Sequence, residues 1–252
     1  MAAEKLNLGP KDSLHEKLMI AIAQAVMDTP LVLKGGTALM LAYGLDRFSE
    51  DLDFDSPVKL NLESKIRKAI PKDFSLQTLE SVKNTETVTR YRVSYITEFG
   101  PGRLKIEVSY RTPASDNEAQ VLNGIRVANI SRILDQKLNA AHDGKDPRTR
   151  IRDLYDLDFI SRNFEGAFTQ SFATRLLELC EDPEKLVARY RDAYLEDDLV
   201  KNRVNLEDLA VRLNYKATEL QKKKDLRSLF GEDTATTGIT NRRAKKENKL
   251  GP

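Results

Sequence analysis

The spacing of apolar residues changes near Asn129, and this change constrains the possible folds more than any other feature of the chain. Before it, Thr87–Ile96 and Leu104–Tyr110 are rich in β-branched and aromatic residues, which is typical of strands. Gly100-Pro101-Gly102 lies between these two segments and predicts a hairpin. After Asn129 the apolar residues recur with helical spacing almost to the end. We therefore predict an α+β fold in which a mixed sheet with flanking helices precedes a helical bundle.

Shorter elements precede the hairpin. Ser13–Met27 has apolar residues at helical intervals and predicts a helix with a broad buried face. Leu31–Leu33 predicts a short buried strand, and Thr37–Tyr43 predicts a helix that stops at Gly44. Leu60–Ile70 predicts a further helix.

The chain divides into three predicted regions. Residues 1–128 form the core domain with the sheet, and residues 129–230 form the helical domain. Residues 231–252 have almost no apolar residues, so we expect a disordered basic tail. The formal net charge is only +2, but residues 216–252 carry ten Lys+Arg against five Asp+Glu. The tail is therefore expected to act at most through weak attraction to RNA or to an acidic partner.

Cysteine and histidine content excludes several classes of protein. The chain has one cysteine, Cys180, and two histidines, His15 and His142. A disulfide scaffold, a Cys/His zinc cluster and Cys-His catalysis are therefore not expected. Uncharged runs are too short to span a bilayer, and Met1–Gly9 lacks the apolar core of a cleaved leader. We expect a cytoplasmic protein with no membrane partner.

Two glycines mark the first candidate site. Gly35 and Gly36 follow a predicted strand and precede a predicted helix, so backbone N–H groups could approach a phosphate there. Thr37 adds a hydroxyl group. A Gly-Gly pair alone is also typical of a simple tight turn, and the sequence leaves that alternative open.

Alternating carboxylates mark the second candidate site. Asp51 and Asp53 share one face of a strand because side chains alternate, and Asp55 extends that face. Glu107 alternates in the same way on a later strand, so three carboxylates meet if the strands are neighbours. Paired carboxylates repel unless a cation lies between them, and Mg²⁺ prefers such oxygen ligands. We predict a magnesium site, with Mn²⁺ as an alternative; a solvated strand edge is the simpler interpretation.

The stretch LKGGTALMLAYGLDRFSEDLDFD resembles the first motif of the AbiEii/AbiGii toxin family, which is close to GGTALxLxYGxxRxSxDLDF. This family belongs to the nucleotidyltransferase superfamily of the DNA polymerase β type. A second stretch is similar to the family's helical lysine followed by Arg-Asp-x-x-Asp-Leu. Here Lys137 precedes Arg152-Asp153-Leu154-Tyr155-Asp156-Leu157. The two motifs together span residues 31–160.

The resemblance implies transfer of a nucleotide from a nucleoside triphosphate to an acceptor, with release of pyrophosphate. Some members of the family are toxins that modify the acceptor end of tRNA and are restrained by an antitoxin. We accordingly expect a nucleotidyltransferase toxin whose acceptor is the 3′ end of tRNA, so that translation is blocked. The alternative is a nucleotide-binding regulatory module with little catalysis that acts by binding an antitoxin or an acceptor.

The resemblance also implies roles for individual residues. The expected metal ligands are Asp51 and Asp53, with Glu107 less secure because the family more often has Asp there. The expected contacts to the triphosphate are Gly35, Gly36, Thr37, Arg47, Ser49 and Lys137. Asp153 is expected to be a catalytic or positioning acid, and Asp156 competes for that role because residues three apart share a helix face. Arg47 could instead pair with Glu50.

Overall fold

The computed structural model describes residues 6–143 and 147–230. The strands of this part are β1 (Val32–Lys34), β2 (Leu52–Asp55), β3 (Ser75–Asn84), β4 (Val88–Thr97), β5 (Gly100–Ser109), β6 (Ala119–Leu122) and β7 (Ile125–Ala128). The α-helices are α1 (Pro10–Ala25), α2 (Gly35–Tyr43), α3 (Glu63–Ala69), α4 (Ile130–Leu138), α5 (Ile151–Asn163), α6 (Gln170–Cys180), α7 (Pro183–Leu195), α8 (Asp198–Lys201) and α9 (Leu206–Phe230). The predicted α+β class is confirmed.

The strands of the described ranges form one mixed sheet in the order β3-β4-β5-β2-β1-β7-β6. The short strands β1 and β2 are antiparallel neighbours at its centre. Strand β5 runs parallel to β2, and β7 runs parallel to β1. The ends of β1 and β2 that carry the glycines and the aspartates therefore meet in the middle of the sheet.

Helices α1 and α3 cover one face of the long strands. On that face Tyr91, Val93 and Tyr95 of β4 are buried. The Leu62 N–H, just before α3, donates a hydrogen bond to the Tyr91 hydroxyl at 3.1 Å. Arg92 alternates with these residues and is exposed. One face of β4 and β5 thus packs on the core, and the other is left to polar side chains, as alternation along an antiparallel pair requires.

The turn between β4 and β5 differs from the prediction. Gly100–Gly102 belongs to β5 and pairs with Thr97, Ile96 and Tyr95, so the turn lies at Glu98-Phe99. A second hairpin, β6–β7, was missed. Its turn is Asn123-Gly124, with φ of 52° and 72°, which is a strong sequence signal for a two-residue hairpin. The predicted helix stop at Gly44 is confirmed, since Gly44 has φ of 79°.

The helical half begins where the spacing change predicted. The Asn129 side chain caps α4 by accepting a hydrogen bond from the Arg132 N–H at 2.9 Å. Buried apolar residues from both halves, from Leu33 and Phe54 to Leu154 and Tyr190, belong to one core cluster. The domain boundary at residue 128 stays a prediction, and the predicted basic tail, residues 231–252, lies outside the described residues.

No helix in residues 6–143 and 147–230 is both long enough and apolar enough to cross a bilayer.

His15 connects α1 to the strand that carries the aspartates. Its Nε2 lies 2.8 Å from the Glu50 carbonyl, which can only accept, so Nε2 carries the proton. Its Nδ1 lies 2.5 Å from the Tyr95 hydroxyl. Tyr95 in turn occupies the space beside Gly102, where a Cβ atom would lie 2.3 Å from the Tyr95 ring. The backbone just before Asp51 is therefore held by a buried chain of contacts that ends at a glycine.

We predict that Gly102→Ala lowers the free energy of unfolding by about 1–3 kcal/mol, because the methyl group pushes Tyr95 away from His15. Gly166→Ala is the matched control, since nothing lies within 4 Å of a Cβ at that position. Urea unfolding of both variants checks this. Equal stability of the two would contradict the packing described here.

Candidate active site

The glycine turn lies directly beside the aspartates. Gly35 follows β1 and has φ of 70°, a conformation that glycine adopts without strain. A Cβ at Gly35 would lie 3.9 Å from Asp53 Oδ2. The Thr37 hydroxyl, in the first turn of α2, hydrogen-bonds to the Asp51 carbonyl and lies 2.8 Å from the Ser49 hydroxyl. Thr37 and Ser49 thus hold the backbone that leads into β2.

The predicted carboxylate neighbours are adjacent in the sheet. Asp53 pairs with Glu107 across β2 and β5 and with Lys34 across β1 and β2. The carboxylates themselves have cationic partners: Lys105 Nζ lies 2.5 Å from Asp51 Oδ2, and Arg90 Nη2 lies 2.6 Å from Glu107 Oε2. Accordingly, no group of three or more His, Cys, Asp or Glu side chains in residues 6–143 and 147–230 is arranged as a metal cluster.

Asp53 differs from Asp51 and Glu107 because no Lys or Arg of the described residues forms an ion pair with it. Burial raises its pKa, and the neighbouring Asp51 and Glu107 carboxylates raise it further, whereas Lys105 and Lys34 oppose the shift. The ionised form of Asp53 is therefore disfavoured by its surroundings, and a cation placed beside it would relieve that cost.

Asp55 has a structural role. It is fully buried, and Lys34 Nζ lies 2.5 Å from its Oδ1. Arg132 Nη2 and Gln136 Nε2 each lie 3.0 Å from its Oδ2. The charge of Asp55 is therefore already neutralised, and its contacts join β2 to α4. Of the three alternating aspartates, Asp51 and Asp53 remain candidates for the metal site.

A second cluster of charges is buried between the sheet and the helical half. Arg47 Nε and Nη2 donate to the two carboxylate oxygens of Asp156 at 2.7 and 2.6 Å. Lys137 Nζ lies 2.6 Å from Asp156 Oδ2 and 2.7 Å from Asp153 Oδ1. Arg148 Nε lies 2.7 Å from Asp153 Oδ2. All of these except Arg148 are at most 7% exposed.

The charges around Asp153 bear on its two expected roles, catalytic or positioning. Burial alone would raise its pKa, but the Lys137 ammonium and the Arg148 guanidinium lower it to about 2. A carboxylate with so low a pKa is a poor proton donor or acceptor near neutral pH, so its position favours holding Lys137 in place. Because the pKa is lowered in the folded state, this contribution to stability is present above about pH 4 and fades as pH falls toward 2.

The second glycine makes room for Arg47. A Cβ at Gly36 would lie 2.5 Å from Arg47 Nη2. Arg47 is 2% exposed, and its Nε and Nη2 both donate to Asp156. Its guanidinium therefore faces α5 rather than the surface beside Gly35. Glu50, the alternative partner, instead lies 3.8 Å from Arg152.

Sequence reasoning missed the cations that neutralise the site. The alternation that singles out Glu107 also places Lys105 on the same face, so Lys105 could have been found. Arg90 is opposite Glu107 only through the β4–β5 register. Arg148 lies in the segment before α5, and no motif marks it.

A glycine turn before alternating aspartates, at the centre of a mixed sheet with a carboxylate on the next strand, is the arrangement that the resemblance to nucleotidyltransferases implies. Two solved structures support this assignment. JHP933 from Helicobacter pylori is 42% identical, with a TM-score of 0.86, over 88% of this chain and 97% of that one. A "putative nucleotidyltransferase from H. pylori" is 42% identical, with a TM-score of 0.84, over 87% of this chain and 98% of that one.

The family model described as "Nucleotidyl transferase AbiEii toxin, Type IV TA system" matches residues 17–245. The chain therefore belongs to the AbiEii nucleotidyl transferase toxin family of type IV toxin–antitoxin systems. No curated protein matches it.

We predict that Gly36→Ala lowers the free energy of unfolding by about 3 kcal/mol, because displacing Arg47 leaves a buried charge poorly paired. In an Arg47→Ala background the same substitution should cost less than about 1 kcal/mol, because the obstructing guanidinium is gone. Denaturant unfolding of the wild type, the two single variants and the double variant measures the coupling energy. Additive effects would show that Gly36 is not needed to make room for Arg47.

Proposed function

We propose that this protein transfers a nucleotide from a nucleoside triphosphate to the 3′ end of a tRNA, with Mg²⁺ as cofactor, and so blocks translation in the cytoplasm. A cognate antitoxin would restrain it. The observation that carries the proposal is the position of Asp53, a desolvated carboxylate flanked by Asp51 and Glu107 and beside the Gly35 turn.

The residues fit a divalent ion by the chemistry of their donors. Asp51 and Asp53 would hold it, and Glu107 would join them once its contact with Arg90 is exchanged. Burial and the neighbouring carboxylates raise the pKa of Asp53, and a bound cation would favour its ionised form. When bound, the ion supplies a Lewis acid that stabilises negative charge on the transferring phosphoryl group. Mn²⁺ has suitable ligand preferences as well.

The chain's own groups complete the site. The backbone N–H groups at the start of α2, beside Gly35, suit a phosphate, because a helix N-terminus attracts anions. Lys137, held by Asp153 and Asp156, presents a fixed positive charge. Such a charge needs no rearrangement when negative charge develops on the triphosphate. Arg148, 46% exposed, is a further cation at the rim of this cluster.

Arg47 enters the proposal in a different role from the one that the resemblance implies. Its guanidinium is occupied by Asp156, so we assign it to holding Lys137 and α5 in register with β2. Thr37 and Ser49 are likewise assigned to fixing the backbone before Asp51. The reaction itself joins the acceptor hydroxyl oxygen to the α-phosphorus, breaks the bond to the β-phosphate and releases pyrophosphate and the hydroxyl proton.

The test is incubation of the protein with each labelled nucleoside triphosphate, Mg²⁺ and total tRNA. Labelled tRNA is expected with the wild type, and we predict at least a hundredfold loss with Asp53→Asn, because a metal ligand is removed. Asp116→Asn, an exposed acid far from the glycine turn in sequence, is the control. Wild-type protein that binds nucleotide but labels no RNA would favour the regulatory module instead.

A second readout does not require turnover. Because the pKa of Asp53 is raised, its ionisation costs stability, and this cost grows as pH rises through the folded-state pKa. We therefore predict that Asp53→Asn raises the apo Tm at pH 7 and changes it little at pH 3. Mg²⁺ should raise the Tm of the wild type and leave that of the variant unchanged. An equal Mg²⁺ effect on both proteins contradicts the metal assignment.

We further predict that expression of the wild type slows growth of a bacterial host and that Asp53→Asn relieves it at equal protein level. Lys137→Ala is less suitable, because it removes a cation from two buried carboxylates and should cost about 3 kcal/mol of stability. Growth curves measure this, with immunoblots to confirm equal protein levels. Equal growth inhibition by both proteins would show that toxicity does not depend on Asp53.

A further inference from the structure

The proposed chemistry assigns the two substrates to opposite sides of β2. In nucleotidyl transfer the attacking and leaving oxygens lie roughly in line through the phosphorus. Strand β1, with the Gly35 turn, flanks β2 on one side, and β5 flanks it on the other. If the triphosphate lies against the glycine turn, the acceptor must approach from the side of β5. This inference rests on the proposed function.

The face of β4 and β5 on that side is open and basic. The register places Arg90 beside Glu107, Arg92 beside Lys105 and Ser94 beside Arg103, all on the face opposite the buried Tyr91 and Val93. Arg92 and Arg103 are exposed. A continuous row of polar and cationic side chains therefore leads away from Asp51 and Asp53.

A groove of about 550 Å³ lies at the edge of the sheet at the start of β5, where this face meets α1. Strand β2 pairs with β5 only from Ile106 to Ser109, so Gly100–Arg103 has no β2 partner on that edge. The groove runs between this edge and the N-terminal turn of α1, and its lining includes Lys11, Asp12, His15, Glu50, Ile96 and Arg103, so its cations lie beside two carboxylates. Because Glu50 immediately precedes Asp51, the groove begins next to the candidate active site.

Some cations on this surface have carboxylate partners and others do not. Lys105 and Arg90 are held by Asp51 and Glu107. By contrast, Arg92 and Arg103 form no ion pair with any residue of the described ranges, although Glu80 lies opposite Arg92 in the β3–β4 register. Two exposed arginines without carboxylate partners, beside a site built for phosphoryl chemistry, are suited to phosphate groups.

Apolar side chains accompany these cations. Phe99 at the β4–β5 turn is 46% exposed, and Ile96 at the groove is 44% exposed. Exposed aromatic groups next to a basic track are the features with which proteins bind single-stranded nucleic acid, because bases stack on the rings while cations follow the backbone. Because this face leads to the catalytic strand, we take the acceptor rather than a protein partner as its occupant.

We propose that the open face of β4 and β5, with the groove at the start of β5, binds the single-stranded end of the RNA acceptor. Arg92 and Arg103 contact its backbone phosphates, and Phe99 stacks on a base. The surface contributes affinity without strong sequence choice, since phosphate contacts carry no base information.

The test compares an Arg92→Ala/Arg103→Ala variant with an Arg67→Ala/Lys68→Ala control. The control removes the same charge from exposed positions of α3, which covers the opposite face of the sheet. Binding of fluorescently labelled total tRNA is measured without nucleotide at several salt concentrations. We expect about a tenfold loss of affinity at low salt and a salt slope smaller by about 1.4, because each single-strand phosphate contact contributes about 0.7 to it. The control should bind as the wild type does.

Nucleotide binding and labelling separate this proposal from the proposed function. The variant should retain wild-type affinity for nucleoside triphosphate and show a raised KM for tRNA. The assignment of this face would be overturned if the variant bound tRNA with wild-type affinity and salt slope, or if it lost affinity for nucleotide instead. A wild type that binds no tRNA would overturn it as well. If the wild type binds tRNA with the expected slope but transfers nothing, the surface stands and the proposed reaction fails.

Discussion

The bidentate pair between Arg47 and Asp156 is the interaction on which the rest of the structure depends. It joins the loop that leads into β2 to α5, across 109 residues of sequence, with both partners at most 2% exposed. Breaking such a pair by removing one partner leaves a buried charge and costs about 3–5 kcal/mol. Gly36 provides the space for it, and Asp156 shares its second oxygen with Lys137. The sheet and the helical half are therefore coupled at the point where a triphosphate would lie.

Charge compensation explains why the site on β2 looks different from that cluster. The buried cluster is satisfied, since each carboxylate there has two cationic partners. On β2, by contrast, Asp51 has Lys105, while Asp53 remains desolvated beside two like charges. The buried cluster is thus already compensated, whereas a cation beside Asp53 would offset the cost of its ionisation. This difference fits the two proposed roles, in which the buried cluster holds Lys137 in place for the triphosphate and Asp53 binds the metal.

The sequence was sufficient for features that depend on local periodicity. Alternation placed Asp53 and Glu107 on matching faces, and the register of β2 and β5 made them neighbours. Local signals also located the helix stop at Gly44, whereas the Asn123-Gly124 hairpin was missed although its signal is strong. Partners far apart in sequence were not predictable: nothing near Arg47 points to Asp156, and nothing near Asp55 points to Arg132. The resemblance supplied the candidate residues, and the contacts add that Arg47 pairs with Asp156 and that Gly36 leaves room for it.

The most direct test is a crystal structure of the protein with a non-hydrolysable nucleoside triphosphate analogue and Mg²⁺. Our prediction is that the metal binds Asp51 and Asp53, that the phosphates lie between the Gly35 turn and Lys137, and that Arg47 keeps both of its contacts with Asp156. A structure in which Arg47 leaves Asp156 and binds the phosphates would contradict it, because the sheet and the helical half would then be coupled by the ligand rather than by this pair.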